Sequence, residues 1–318
     1  MHGERILLIG GGGFIGRALA RRLAGEGREV HVLSRHAETG KREGIEFHRG
    51  CQSVAAVVVP LLERCDAVVH LASTTTPGRS AHAPVLDVTE NLVPLAGFIA
   101  ALVATRPKRV LFLSSGGAVY GNPTTLPATE EHPVQPISWH AAGKAAAELF
   151  FGAYARQVRG ASLAVLRPAN VYGPGQPLQT GFGIVRTLLE KAHAGEAVEI
   201  WGSGEQVRDF LYIDDLVDAC MRLLDRHELA DTFNVGSGKG VSLLSLIAMI
   251  EKLSGRTIPV LPRPERSTDV AAIHLDVEKL RDATGWMAKE SLASGLQKTW
   301  EWLCSDNARL SRRDRRSR

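Results

Sequence analysis

The chain has 318 residues, 44% of them hydrophobic and 23% charged, and a net charge of +4. This is enough apolar material for one large or two modest domains with a full core. No run approaches the ~20 uncharged apolar residues that span a bilayer, and Cys51, Cys65, Cys220 and Cys304 form no CxxC pair, which argues against a disulfide framework or a zinc site. No metal is expected. Met1-His2-Gly3-Glu4-Arg5 leads directly into an apolar run with no signal-peptide pattern, so a soluble cytoplasmic protein without a membrane partner is expected. The segment Arg309–Arg318 carries six Arg against one Asp; without a nucleic-acid motif beside it, 306–318 reads as a basic, flexible, solvated tail and no nucleic-acid partner is expected.

In chain order, Arg5–Gly10 is a short apolar run that reads as a buried parallel strand, and Phe14–Ala24 has helical spacing. Glu29–Leu33, Asp66–Ala72, Arg109–Ser114 and Ser162–Arg167 read as further strands with helices between them, including Leu86–Val103 and Ala141–Arg159. This alternation implies an α/β fold with a doubly wound parallel sheet and right-handed crossovers. After Pro168 the texture changes to a loop, a helix over Ile184–Ala194, short strands at Val198–Trp201 and Arg208–Ile213, a helix over Asp215–Asp225, a strand Thr232–Val235, and helices over Leu243–Leu253 and Val277–Thr284. Residues 1–168 are expected to form the sheet domain, with 210–236 returning to it. A smaller C-terminal α/β lobe takes 169–209 and 237–305.

Gly10, Gly13 and Gly16 follow the first strand and open the first helix, with Phe14 and Ile15 between them. Glycines at this spacing permit a tight turn, close approach of a pyrophosphate and close helix packing, while the helix N-terminus presents free N–H groups. The position implies a Rossmann sheet binding NAD or NADP. The second strand ends Leu33-Ser34-Arg35, with no carboxylate for a ribose 2′-hydroxyl, and Arg35 suits a 2′-phosphate, so the reading leans to NADP.

Further segments, in order, resemble the extended short-chain dehydrogenase/reductase family of sugar-nucleotide epimerases and dehydratases, nearest to UDP-hexose 4-epimerases of surface-polysaccharide pathways. They are His70-Leu71-Ala72, Asn91 in its apolar helix, Ser114-Ser115-Gly116-Gly117-Ala118-Val119-Tyr120-Gly121, Arg167-Pro168-Ala169-Asn170-Val171-Tyr172-Gly173, Arg208-Asp209-Phe210-Leu211-Tyr212 and Arg266-Ser267-Thr268-Asp269. The resemblance implies that Leu71, Ala72, Lys144 and Pro168 join the glycines, Ser34 and Arg35 around the cofactor. It also implies that Asn170, Arg208, Arg266 and Asp269 bind a nucleotide-diphosphate sugar, and that the protein is a homodimer through the helices at Leu86–Val103 and Ala141–Arg159. Two guanidinium groups suit a dianionic pyrophosphate.

The family pairs Tyr with the Lys four residues on. Here Lys144 is present and His140 stands in the Tyr position, while the family's relay hydroxyl is replaced by Gly116 with Ser115 adjacent. Residues at i and i+4 share a helix face, so His140 and Lys144 can act together. Three readings stay open: His140 as the general base with Lys144 and Ser115, another group such as Tyr120 in that role, or a protein that binds both ligands without turning them over. The enzyme reading is an epimerase acting through transient oxidation at the sugar C4. A 4-keto reductase or dehydratase is the enzymatic alternative.

Overall fold

The computed structural model describes residues 4–316 apart from 38, 107, 180, 227 and 229, with side chains described through 305. Its strands are β1 Arg5–Ile9, β2 Glu29–Ser34, β3 Gly40–Arg42, β4 Ile45–Arg49, β5 Ala67–His70, β6 Arg109–Leu113, β7 Ser162–Pro168, β8 Asn170–Tyr172, β9 Val198–Trp201, β10 Val207–Tyr212, β11 Thr232–Val235, β12 Gly240–Ser242 and β13 Val260–Arg263. Eight of them form one sheet in the order β11-β7-β6-β5-β1-β2-β4-β3, in which only the β3–β4 pair is antiparallel. Ile6 and Leu8 of β1 pack into one core cluster and Leu7 and Ile9 into another. Burial on both faces is why such a strand reads as an unbroken apolar run rather than an alternating one.

Chain order reverses between β1 and β5, neighbours in the sheet. The loops after these strands therefore diverge and leave a crevice at their C-terminal ends. Beyond β7 the chain builds a second sheet, β12-β10-β8, and a two-stranded pair, β13-β9. The return to the large sheet consists of the helix Ile213–Asp225 and β11, whereas β10 belongs to the second sheet through its pairing with β8, so the return starts later than residue 210.

Two features of the fold bear on expectations from the sequence. The helix over Pro84–Ala104 is long and apolar enough to cross a membrane by length and composition, although it carries Asp87 and Glu90. In the fold it lies on the sheet and buries Leu95, Phe98, Ala101 and Leu102. In addition, the backbone of 306–316 continues the helix Leu292–Arg316, which no Pro or Gly interrupts after Gly295.

Within Pro84–Ala104 the turn Val88–Leu92 is widened to a π-helix. Pro94 follows, and it has no N–H to return to the Glu90 carbonyl, which instead accepts from Thr74 Oγ1 at 3.4 Å. The sequence thus opens the helix beside the crevice.

Candidate active site

The loop after β1 is shaped by glycine. Gly10 has φ +80°, and a Cβ there would lie 2.7 Å from Ala72 Cα, so only glycine lets this loop close against the end of β5. At Gly16 a Cβ would meet Gly11 Cα at 2.4 Å, which fixes the packing of the first helix on the loop. That helix, Phe14–Gly25, starts at Gly13 without a side-chain cap and has no acidic residue in its first turn. Its first N–H groups and its dipole are left for an anion, so the cradle fits a dinucleotide pyrophosphate. Phe14, Ile15 and Leu71 pack under the loop. Ser34 ends β2 beside Gly12, and the exposed Arg35 reaches Thr74 Oγ1 at 3.3 Å.

Ser138 caps the helix Trp139–Gln157 by accepting from Ala141 N–H at 3.3 Å, so His140 lies in the first turn of this helix rather than before it. His140 and Lys144 line one pocket together with His70, Ala72, Asp87, Asn91 and Phe112. Lys144 Nζ donates to the Leu113 carbonyl at 2.9 Å, and burial pushes its ammonium down to about 8.

His140 sits in a network that fixes its tautomer. The Thr75 hydroxyl donates to Asp87 Oδ1 at 2.5 Å and accepts from Asn91 Nδ2 at 2.8 Å. Its remaining capacity is as an acceptor, so the contact of 3.2 Å to His140 Nδ1 is a hydrogen bond donated by the imidazole. His140 Nε2 is then the bare lone pair, and it has no hydrogen-bond partner among the described residues. Asp87 Oδ1 stands 3.7 Å from Nδ1. Burial pushes the Asp87 carboxyl up, but hydrogen bonding involving His140 and Thr75 outweighs it and holds the group down to about 2.

The alternative base, Tyr120, is held in a buried network. Its hydroxyl donates to Asn234 Oδ1 at 2.7 Å and accepts from Arg167 Nη1 at 3.0 Å, and burial pushes its phenol up to about 12. Arg167 is in turn paired to Glu148 at 2.6 Å, which makes this a buried scaffold. Ser115 caps the short helix Gly116–Val119 only through its backbone, leaving its hydroxyl without a cap bond. Gly116 explains the missing relay hydroxyl, because a Cβ there would lie 2.6 Å from the Arg167 carbonyl oxygen. Pro168 ends β7 beside Val235 and is buried.

The remaining predicted residues gather in the second lobe. Asn170 Nδ2 donates to the Asp209 carbonyl at 3.1 Å. The Asp209 carboxylate accepts from Ser237 N and Oγ, Gly238 N and Leu275 N, and so organises the loop after β11. Arg208 is pushed below its ordinary value by burial, with Asp269 opposing. Arg266 does not lean on the Asp269 carboxylate; its guanidinium stacks on the Trp201 ring at 3.4 Å from the centroid, while Asp269 N–H bonds the Arg266 carbonyl at 3.1 Å. Residues 34–35 and 71–72 thus stand with the glycines, and 140 with 144 at the pocket, as the motifs imply.

Thr75, Asp87 and Trp201 are site residues the sequence reading did not name. Of these, only Asp87 has a local signal, its spacing of four from Asn91 on an apolar helix.

Comparison with known proteins gives a consistent picture. The model of the NAD dependent epimerase/dehydratase family matches residues 6–236. A UDP-glucose 4-epimerase of Mycolicibacterium smegmatis is 32% identical over 309 residues, covering 94% of this chain and 98% of the relative. The crystal structure of the Thermotoga maritima UDP-glucose 4-epimerase with UDP-glucose is 30% identical, with TM-score 0.88 over 95% of this chain and 99% of its own. That of the Thermus thermophilus UDP-glucose 4-epimerase complexed with NAD is 32% identical, with TM-score 0.84 over 94% and 98% of the two chains.

Proposed function

The chain belongs to the NAD dependent epimerase/dehydratase family, and on that premise we propose that it is a UDP-hexose 4-epimerase whose general base is His140. The observation that carries this reading is the Thr75–Asp87 network, which leaves His140 Nε2 unprotonated one helical turn from Lys144. A scaffold that had merely lost its Tyr would have no reason to hold the replacing imidazole in a working tautomer.

Gly10, Gly13, Gly16, Ala72 and Lys144 would hold the nicotinamide cofactor, which supplies a hydride acceptor and donor when bound. His140 Nε2 takes the proton of the sugar hydroxyl, and the resulting imidazolium is stabilised by Asp87. The same proton returns when the hydroxyl re-forms on the opposite face. Lys144 faces the same pocket, one helical turn from the base. Ser115 offers a hydroxyl beside the pair. Arg208 and Arg266 hold the diphosphate, with Arg266 pre-oriented by Trp201, and Asn170 contacts the sugar or phosphate side. The test is turnover of a UDP-hexose panel read by NMR with NAD and NADP supplied separately. Interconversion at C4 supports the reading; binding of both ligands without exchange at C4 overturns it.

One observation favours a second reading. Arg35 is exposed at the end of β2 with no carboxylate at position 34, which suits NADPH and a nucleotide-sugar 4-keto reductase. Tightly retained NAD supports the epimerase, and freely exchanging NADPH supports the reductase. A homodimer is part of the proposal. Val85, Val88, Val93 and Val103 are exposed on Pro84–Ala104, and so are Leu149 and Phe150 on Trp139–Gln157. Together they offer an apolar surface that a second copy would cover.

A further inference from the structure

We propose that the sheet face shared by β2 and β4 carries a binding site for one divalent transition ion of the zinc class, formed by His31, His48 and Glu46 and oriented by Glu29. The parallel pairing sets His31 opposite Glu46 and Leu33 opposite His48. Side chains two apart on a strand share a face, so Glu29, His31, Glu46 and His48 all project to the same side. His31 Nδ1 and His48 Nε2 are 3.1 Å apart; Glu46 Oε2 lies 3.6 Å from the first and Glu46 Oε1 lies 3.6 Å from the second. Ligand atoms on a tetrahedral zinc, each about 2.0–2.1 Å from the metal, stand about 3.3 Å from one another. The two ring nitrogens therefore stand at about the spacing of two such ligands, and the Glu46 carboxylate faces both, so that a small turn brings one of its oxygens to a third vertex and a water completes the set.

A second observation comes from the outer partner. The His31 side chain is fully buried, and its Nε2 lies 2.9 Å from Glu29 Oε1. A carboxylate only accepts, so Nε2 carries the proton and Nδ1 is a bare lone pair directed at the cluster. This carboxylate–imidazole arrangement orients metal-bound histidines and raises their basicity. In the metal-free protein one proton, on His48 Nε2, bridges the two rings, which meet edge to edge with centroids 5.3 Å apart. The ion replaces that proton, and the rings turn to direct both lone pairs at it. Arg64 approaches Glu46 only to 3.9 Å from the half-exposed end of its helix, a cation that can swing away. Two imidazoles with a carboxylate favour zinc, cobalt, nickel or copper over magnesium or calcium. The site ties together the strands that lead into Arg35 and Cys51.

The test uses tag-free, chelator-treated, full-length protein titrated with zinc and, separately, cobalt. One zinc per chain with a dissociation constant of about 1 µM or tighter is expected, with a higher melting temperature and the intense visible bands of tetrahedral cobalt. His48→Gln and Glu46→Gln, which spare the buried ring, should weaken zinc binding at least ~100-fold, and Glu29→Gln by about 10–100-fold. Circular dichroism of the variants checks that their fold is kept. No binding tighter than about 100 µM, or unchanged affinity in a folded His48→Gln variant, overturns the proposal.

Discussion

The cofactor half and the proton-handling half of the crevice are built by different means. The cradle after β1 is made of backbone: glycines that let Gly10 press against Ala72, and a helix start with uncapped N–H groups. The proton-handling half is made of side chains from three separate segments. Thr75 lies in the loop after β5, Asp87 precedes the widened turn and Asn91 lies within it, and His140 opens a helix far along the chain. A backbone site tolerates little substitution. A side-chain network can accept an exchanged base if its neighbours can fix the new tautomer, which is the role proposed for Thr75 and Asp87.

If the halves are separable in this way, variants should damage one and spare the other. The largest effect is expected at Gly10. Gly10→Ala forces a Cβ into Ala72 at positive φ, and cofactor affinity should fall about 100-fold or more, with a stability cost on the order of 1–3 kcal/mol. Isothermal titration with NAD and a thermal melt measure the two parts. Unchanged affinity would break the account of the cradle. Next is Thr75→Val, which keeps the shape but removes the acceptor of the His140 Nδ1 proton. Turnover should drop about 10–100-fold with cofactor binding intact, and Thr75→Ser should restore it.

Smaller effects sharpen the same contrast. Restoring a hydroxyl by Gly116→Ser should not help, because the new side chain meets the Arg167 carbonyl and Leu275. Chemical denaturation should show a loss of about 1–3 kcal/mol with no gain in turnover. His70 is neutral because burial, and secondarily Lys144, push its imidazole down to about 3. A lowered histidine pKa means that the unfolded chain takes up a proton near pH 6.5 while the folded one does not. This contribution to stability is therefore complete above pH 6.5 and is lost as pH falls from there toward 3, by up to about 1.4 kcal/mol per pH unit. His70→Leu should flatten the stability profile between pH 6.5 and 4.5, a window above that of the carboxylates.

The contrast also explains what the sequence disclosed. β1, its glycine turn and the first helix were legible to within a residue or so, because an apolar run, a φ requirement and helical spacing are local properties. The i, i+4 pairing of His140 with Lys144 was equally local. By comparison, β3 and β4 were missed. β3 is three residues long, and β4 carries Glu46 and His48 among its apolar residues. The partners of His140 were missed for a different reason: no spacing links Thr75 to a residue 65 positions away, and only the packing of the widened helix against Trp139–Gln157 joins them. The partners of Tyr120 were hidden for the same kind of reason, since Arg167 and Asn234 come from β7 and β11.

The most direct test of the central claim compares native protein with His140→Phe, both supplied with NAD, in conversion of UDP-glucose followed by NMR. The account predicts conversion at C4 by the native chain and a loss of at least ~100-fold in the variant, with NAD affinity unchanged. Equal rates in the two proteins, or a native chain that binds NAD and UDP-glucose but never exchanges the C4 position, would contradict it.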